Sequence, residues 1–153
     1  MLFRSWLYGE SMRHADSGGS LCTLTALIIA GRGLHIVHVG DSRAYRWRAG
    51  TLEQLTRDHV WPRKDMRRTL KRAIGLDEFL VVDCNEDAWR RGDRYLIVSD
   101  GVWDVLGERA LREVMAAVPE PQAAADELVQ RSVGTQKAFF GRNDATALCV
   151  RVD

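Results

Sequence analysis

Three aspartates are the residues of this chain most able to support chemistry. Asp41, Asp100 and Asp144 each adjoin a short apolar run of the kind that forms a buried strand. If the three runs lie in one core, the three carboxylates could converge on one edge of a sheet. Like charges in a low dielectric are costly unless a cation neutralises them or their pKa values rise. Hard divalent cations such as Mg²⁺ and Mn²⁺ prefer all-oxygen sites of this type.

Each aspartate also has a simpler interpretation as a turn residue. Asp41 lies in Gly-Asp-Ser, Asp100 in Ser-Asp-Gly, and Asp144 follows Asn143. Aspartate in such contexts commonly bonds the backbone of its own turn. Taken one at a time, the aspartates therefore leave both interpretations open.

The apolar runs that would position the aspartates predict a β-rich first half. Runs of branched and aromatic residues separated by glycine-containing turns are typical of strands, and the first four are spaced closely enough for an antiparallel meander. The predicted strands cover residues 21–30, 34–39, 44–48, 52–55, 80–83, 94–99 and 145–152.

Helices are predicted between and around these strands. Apolar residues at near-helical spacing indicate amphipathic helices, and Pro119 with Pro121 separates the last two, since proline ends one helix and suits the first turn of the next. Strands and helices that do not alternate regularly predict an α+β domain. The predicted helices cover residues 1–14, 64–73, 108–118 and 121–133.

Composition limits the function classes. A chain of 153 residues with 46% hydrophobic and 28% charged residues is long enough for one globular domain. Its net charge of +1 gives no overall attraction to nucleic acid or to an anionic membrane. Cys22, Cys84 and Cys149 form no CxxC pair, so we expect buried, reduced thiols in a cytoplasmic protein and no structural zinc.

Six motifs together resemble the metal-dependent protein serine/threonine phosphatases of the type 2C (PPM) family. They occur in the order that the family shows, from about Gly19 to the C-terminus, and the short segment after Asp58-His59 resembles the phosphatase part of bacterial phosphatase–kinase fusions. The chain has no kinase motif of its own. The motifs are VGDSRAY at 39–45, LTRDH at 55–59, RAIG at 72–75, RGD at 91–93, LIVSDGVWD at 96–104 and RNDAT at 142–146.

The resemblance implies a fold of two packed, mainly antiparallel β-sheets flanked by helices. It also implies hydrolysis of phosphoserine and phosphothreonine in proteins by a metal-activated water, with two or three Mn²⁺ or Mg²⁺ ions. By this resemblance Asp100 and Asp144 are ligands of the central metal pair, and Asp41 serves a more weakly held third ion. The residues that it gives a supporting role are Gly40, Ser42, Arg43, Gly101, Asn143 and Thr146.

Other residues receive structural roles. We expect Arg43 to pair with an acid below the sheet, Asp58 and His59 to be structural, and Gly101 to allow a sharp turn. The basic segment 63–72 is either a solvated helical face or a docking surface for a phosphoprotein.

The family's first metal motifs, which precede the Gly-Ser-Leu-Cys-Thr strand, do not occur in these 153 residues. We therefore expect the chain to be the C-terminal part of a type 2C domain, truncated at its N-terminus, with sheet edges left open. Expected partners are a phosphoprotein substrate and a partner kinase, without nucleic acid or membrane. The alternative function is that of an inactive fragment or pseudophosphatase that acts as a protein-binding module.

Overall fold

The fold was obtained as a computed structural model that describes Gly9, Arg13 and residues 21–61, 69–136 and 143–153. The chain divides into two compact units. The first unit contains the described residues up to Asp41 together with Asp58–Asp87, and the second contains Ser42–Arg57 and Ala88–Asp153. No helix among the described residues is long and apolar enough to cross a membrane.

The first unit is built on a three-stranded sheet of order β1-β2-β5. Strands β1 and β2 form an antiparallel hairpin in register from Leu24 opposite Val39 to Ala30 opposite Gly33. Alternate side chains of β2 are buried, as expected for a strand with one face in a core. The strands are β1 (Leu24–Ala30), β2 (Gly33–Val39) and β5 (Asp83–Ala88).

The second unit is built on a four-stranded sheet of order β4-β3-β6-β7. All three strand pairs of this sheet are antiparallel. The register places Arg43 opposite Val98 and Val98 opposite Ala147. The strands are β3 (Arg43–Arg48), β4 (Thr51–Gln54), β6 (Arg94–Val98) and β7 (Ala147–Arg151).

Two helices pack on this second sheet. Helix α1 (Asp100–Ala117) is interrupted at Gly107, where φ is +72°. Helix α2 (Pro121–Gln136) starts at a proline, and the Glu120 carboxylate accepts a hydrogen bond from the Ala123 N–H at 2.6 Å. The helices and the sheet share one apolar core, formed by Tyr45, Leu52, Leu96, Val98, Val102, Leu111, Val114, Met115, Ala124 and Leu128.

A buried carboxylate fastens the turn before β6 to strand β3. Asp93, only 2% exposed, receives two hydrogen bonds from the Arg48 guanidinium, at 2.7 and 2.6 Å. The Arg90 N–H and the Tyr95 hydroxyl donate to the same carboxylate, at 2.6 and 3.0 Å. This fully bonded acid accounts for the Arg-Gly-Asp motif at 91–93 without a catalytic role.

The predicted α+β class is confirmed, and several local predictions need correction or restriction. The meander is wrong between β2 and β3, because the chain changes sheets there and β3 pairs with β6. The strand predicted at 80–83 overlaps β5 only at Asp83, where β5 begins. The sequence of β5 is polar, and its side chains are largely exposed. Sheet pairing stabilises such a strand although its sequence has no apolar signal.

The helix predicted from Glu108 matches the second part of α1, which follows the break at Gly107, but the first part of α1, from Asp100, was not predicted. Glycines at 101 and 107 lower helix propensity in this stretch, but burial of Val102 in the core outweighs that cost. Part of the helix predicted at 64–73 is wrong as well: residues 69–73 are not helical, and Leu70 forms an isolated bridge with Val60.

Residues 62–68 lie outside the described residues, so the first part of that basic helix remains a prediction. Gly9 and Arg13 are helical, and the rest of the helix predicted at 1–14 lies outside the described residues. The prediction of buried thiols is wrong for two of the three cysteines, since Cys22 and Cys84 are free and exposed. Cys149 is a free, partly buried thiol that packs against the core.

Candidate metal centre

The pairing of β6 with β7 brings two of the three aspartates to the same end of the second sheet. In an antiparallel pair, the last residue of one strand lies beside the first residue of the other. Val98 is opposite Ala147, Asp100 lies two residues after Val98, and Asp144 lies three residues before Ala147. The convergence that the sequence predicted therefore holds for Asp100 and Asp144.

Ser99 joins the two chain segments at this point. Its hydroxyl donates to the carbonyl oxygen of Asp144 at 3.1 Å and accepts from the Thr146 N–H at 3.0 Å. Its own backbone N–H donates to the Thr146 carbonyl at 3.0 Å. These bonds run through the Thr146 backbone just before β7, and a supporting role for its side chain stays a prediction.

The Asp100 carboxylate lies at the start of α1. Its Oδ1 accepts a hydrogen bond from the Gly101 N–H at 2.8 Å, as a turn aspartate would. Its Oδ2 accepts from the side-chain amide of Asn143 at 3.3 Å. A negative charge at this place is also favoured by the partial positive charge of the helix N-terminus. Asp100 thus bonds the backbone of its own turn, and a carboxylate with one bond to each oxygen still has lone pairs for a cation. Its role as a metal ligand stays a prediction.

Gly101 is required by close packing. A β-carbon at this position would overlap the carbonyl oxygen of Asp144. Gly101 is buried and helical, so the predicted sharp turn at this residue is wrong. The absence of a side chain instead lets α1 begin directly against the Asp144 backbone.

Two polar residues of α2 contact the backbone at this site, and neither was predicted from the sequence. Ser132 and Gln136 are buried, and both donate to the carbonyl oxygen of Gly101. The side-chain oxygen of Gln136 accepts a hydrogen bond from the Asn143 N–H at 2.8 Å. A signal was present in the sequence, since both residues continue the four-residue spacing of Ala124 and Leu128 on a buried face.

Arg43, the first residue of β3, stacks on an aromatic ring. Its guanidinium carbon lies 3.5 Å from the centroid of the Trp103 ring, and Nη1 donates to the Tyr45 hydroxyl at 3.4 Å. A cation over an indole face is a favourable contact. It fastens α1 to β3 beside the end of β6, while the predicted pairing of Arg43 with an acid stays a prediction.

In the first unit, Gly40 and Asp41 follow β2. Gly40 has φ of +114° and lies against the Thr23 side chain, so no other residue fits here without strain. The Gly40 N–H donates to Nδ1 of His59 at 3.2 Å, and the His59 N–H donates to the Gly40 carbonyl at 2.7 Å. The backbone that carries Asp41 is therefore held by His59. Ser42 begins the second unit.

His59 is a bonded structural histidine, as predicted. Because Nδ1 accepts from Gly40, the neutral ring carries its proton on Nε2, which donates to Asp83 at 3.0 Å. Arg72 donates to the other oxygen of Asp83 at 2.8 Å. The hydrogen bond from His59, helped by Arg72, lowers the pKa of Asp83. His59 therefore holds the backbone before Asp41 through Nδ1 and contacts Asp83 and Arg72 through Nε2.

The second unit contains two acids with the side-chain chemistry of divalent-cation ligands. Asp100 and Asp144 offer carboxylate oxygens, which are the ligands that Mg²⁺ and Mn²⁺ prefer. Within the described ranges, no three His, Cys, Asp or Glu side chains form a group that could hold a metal ion. Among the described residues, Asp100 and Asp144 therefore do not form a complete metal site by themselves.

Comparison with known proteins relates this arrangement to protein phosphatases, although no family model matches the chain. The serine/threonine protein phosphatase PstP of Mycobacterium tuberculosis is 33% identical over 130 residues, which cover 75% of this chain and 25% of PstP. A probable protein phosphatase 2C (2C 20) of Arabidopsis thaliana is 31% identical over 155 residues, covering 83% of this chain and 53% of that protein. The chain thus spans a quarter to about half of these relatives.

Solved structures give the same result for the fold. PppA, described as a regulatory component of the T6SS in Pseudomonas aeruginosa, matches 98% of this chain with a TM-score of 0.86 and 28% identity, over 65% of its own length. The catalytic domain of PstP in complex with two manganese ions matches 98% of this chain with a TM-score of 0.79 and 28% identity, over 67% of its length. These matches confirm the predicted fold class.

Proposed function

Since this chain belongs to the type 2C (PPM) family of protein serine/threonine phosphatases, we propose that residues 1–153 form the C-terminal part of a phosphatase domain. The function proposed for that domain is metal-dependent hydrolysis of phosphoserine and phosphothreonine in proteins. The observation that carries the proposal is the convergence of Asp100 with the Asn143–Asp144 segment, held by Ser99 and Asn143.

In this proposal Asp100 and Asp144 bind the central divalent cations, and Asp41 binds a third, more weakly held ion. Mn²⁺ or Mg²⁺ bound by such carboxylates supplies an activated water and neutralises the charge that develops on the phosphoryl group. Asn143 and Ser99 orient the two acids, while Gly101 permits their close approach. Supporting residues hold the backbone next to these acids. They are Gly40, Ser42, Arg43 and Thr146.

Substrate and setting belong to the same proposal. The substrate is a protein phosphorylated on serine or threonine, so a kinase that acts on the same protein is the expected partner. The two manganese ions of the PstP structure support Mn²⁺ as a cation that the domain can use. The three free cysteines support a reducing, cytoplasmic setting. The bacterial relatives support a role in bacterial signalling.

The test is hydrolysis of para-nitrophenyl phosphate and of a phosphothreonine peptide by the purified chain, with and without millimolar Mn²⁺. The variant Asp100→Asn removes the charge with little change of shape. Asp126→Asn, an exposed acid of α2 that bonds Gln122, is the matched control. We expect Asp100→Asn, but not Asp126→Asn, to remove Mn²⁺ binding and any Mn²⁺-dependent turnover of the chain. Mn²⁺ binding that requires Asp100, without turnover, would place the remaining ligands outside these 153 residues. A folded chain that neither binds Mn²⁺ nor turns over would instead support the non-catalytic binding module.

A further inference from the structure

We propose that Gln136 is a positioning residue that holds the start of α1 and the Asn143–Asp144 segment at one fixed spacing. In this role it determines how well Asp100 and Asp144 can bind the same divalent-cation centre. The inference rests on the proposed function, because it assigns Gln136 an effect on metal binding by those two acids.

The side-chain amide of Gln136 forms hydrogen bonds with backbone groups of two different segments, one through its nitrogen and one through its oxygen. Nε2 donates to the carbonyl oxygen of Gly101 at 3.0 Å, and Oε1 accepts from the Asn143 N–H at 2.8 Å. Gly101 directly follows Asp100, and Asn143 directly precedes Asp144. A single side chain therefore bridges the immediate neighbours of both proposed ligands.

The bridge is buried and reinforced. Gln136 is 7% exposed and Ser132 is fully buried. The Ser132 hydroxyl lies one helical turn earlier, donates to the same Gly101 oxygen and accepts from Nε2 of Gln136 at 3.1 Å. A buried polar network with all its groups bonded is rigid, because breaking any bond leaves a desolvated donor or acceptor.

Position in the fold explains why α2 can do this. The helix ends at Gln136, and its buried face packs on the core beside α1. Gln136 is therefore fixed by a rigid element, whereas Asp144 is exposed and precedes β7 by three residues. Groups that orient metal ligands from outside the ligand set typically change metal affinity 10- to 100-fold when removed, as a rough range.

A merely structural role would predict a different result. If Gln136 only stabilised the end of α2, its loss would lower the stability of the fold and leave the Mn²⁺ affinity of the folded molecules unchanged. Metal affinity and local amide exchange must therefore be measured on variants that are folded.

The experiment compares Gln136→Met with Gln130→Met in the full chain. Methionine has a similar length and removes all three side-chain hydrogen bonds of Gln136. Gln130 is an exposed residue of the same helix. Mn²⁺ affinity is measured by calorimetric titration, and exchange of the Asn143 amide hydrogen is followed by NMR. We expect Gln136→Met to weaken Mn²⁺ binding about 10- to 100-fold and to speed exchange at Asn143. Gln130→Met should change neither.

A second variant covers the case in which Gln136→Met does not fold. Ser132→Ala removes one of the two donors to the Gly101 oxygen and keeps Gln136. We expect a loss of Mn²⁺ affinity in the same direction and of a few-fold.

The outcomes separate this inference from the proposed function. Mn²⁺ binding that requires Asp100 but is unchanged in a folded Gln136→Met protein would overturn the role of Gln136 and leave the proposed function intact. A wild-type chain that binds no Mn²⁺ would overturn the proposed metal centre itself, and the role of Gln136 in it.

Discussion

Gly101 packs against the carbonyl group of Asp144 so closely that no β-carbon fits between them. The contact joins the first turn of α1 to the segment that leads into β7. Because one of the two residues directly follows the acid Asp100 and the other is itself an acid, the contact also sets the spacing between the two proposed metal ligands.

Gly101→Ala should therefore disturb both stability and the site. The added methyl group must displace the Asp144 backbone, and overpacking of this kind costs about 1–3 kcal/mol. Urea unfolding should show this loss, and Mn²⁺ titration should show weaker binding. Gly134→Ala is the matched control, because nothing lies within 4 Å of a β-carbon at that helical position. It should raise stability by roughly 0.5–1 kcal/mol, and an equal effect of the two variants would contradict the packing argument.

The buried carboxylate of Asp93 predicts a loss of stability in acid. Burial alone would raise its pKa, but the hydrogen bonds from Arg48, the Arg90 N–H and Tyr95 outweigh it and lower the pKa. A lowered pKa in the folded state stabilises the protein above the unfolded-state value of about 3.9, and this contribution is lost as pH falls further. Unfolding free energies measured by urea titration should decrease below about pH 4.

The variant Asp93→Asn tests this assignment. Removing the charge of one partner of a buried pair costs about 3–5 kcal/mol near neutral pH, and Asp93 is the partner that accepts two bonds from Arg48. The variant should also lose less stability than the wild type between neutral and acidic pH. The same acid dependence in variant and wild type would show that other carboxylates cause it.

Tyr95 predicts a second loss of stability, at alkaline pH. Burial, together with the bond to Asp93, raises the pKa of Tyr95 to about 12. A raised folded-state pKa gives full stability below the unfolded-state value of about 10, and that stability is lost as pH rises through the folded value. Ultraviolet titration of the phenol should show one tyrosine that ionises late and is missing in Tyr95→Phe. Ionisation of all tyrosines together near pH 10 in the folded protein would refute the prediction.

The two ring nitrogens of His59 can be tested separately, because asparagine and glutamine each imitate one of them. His59→Asn keeps an acceptor near the Gly40 N–H and loses the reach to Asp83, whereas His59→Gln does the opposite. Gly40 is buried and Asp83 is 36% exposed, so water can replace the bond to Asp83 but not the bond to Gly40. An unsatisfied buried donor costs about 1–3 kcal/mol. Urea unfolding should therefore show His59→Gln to be the less stable variant, and the reverse order would refute the proposed role of Nδ1.

Sequence patterns identified the strands around the aspartates more reliably than they identified which strands pair with one another. Strands β1, β2, β3 and β6 were predicted within a few residues, because each is an apolar run bounded by glycine or polar turn residues. The change of sheet at Gly40–Ser42 was not predicted, since a turn of this composition suits a hairpin as well. The polar strand β5 was also missed in part, because its pairing with β2 lies outside the local sequence.

By itself, the sequence determined the α+β class and the three aspartates as candidate ligands, because these follow from residue types and local spacing. Its six motifs also carried the resemblance to type 2C phosphatases. Only the tertiary structure decided that Gly101 packs on Asp144 and that Gln136 bridges Gly101 and Asn143. Those contacts join residues 43, 35 and 7 positions apart. Their partners are selected by strand register and helix packing, which no local pattern of side chains encodes.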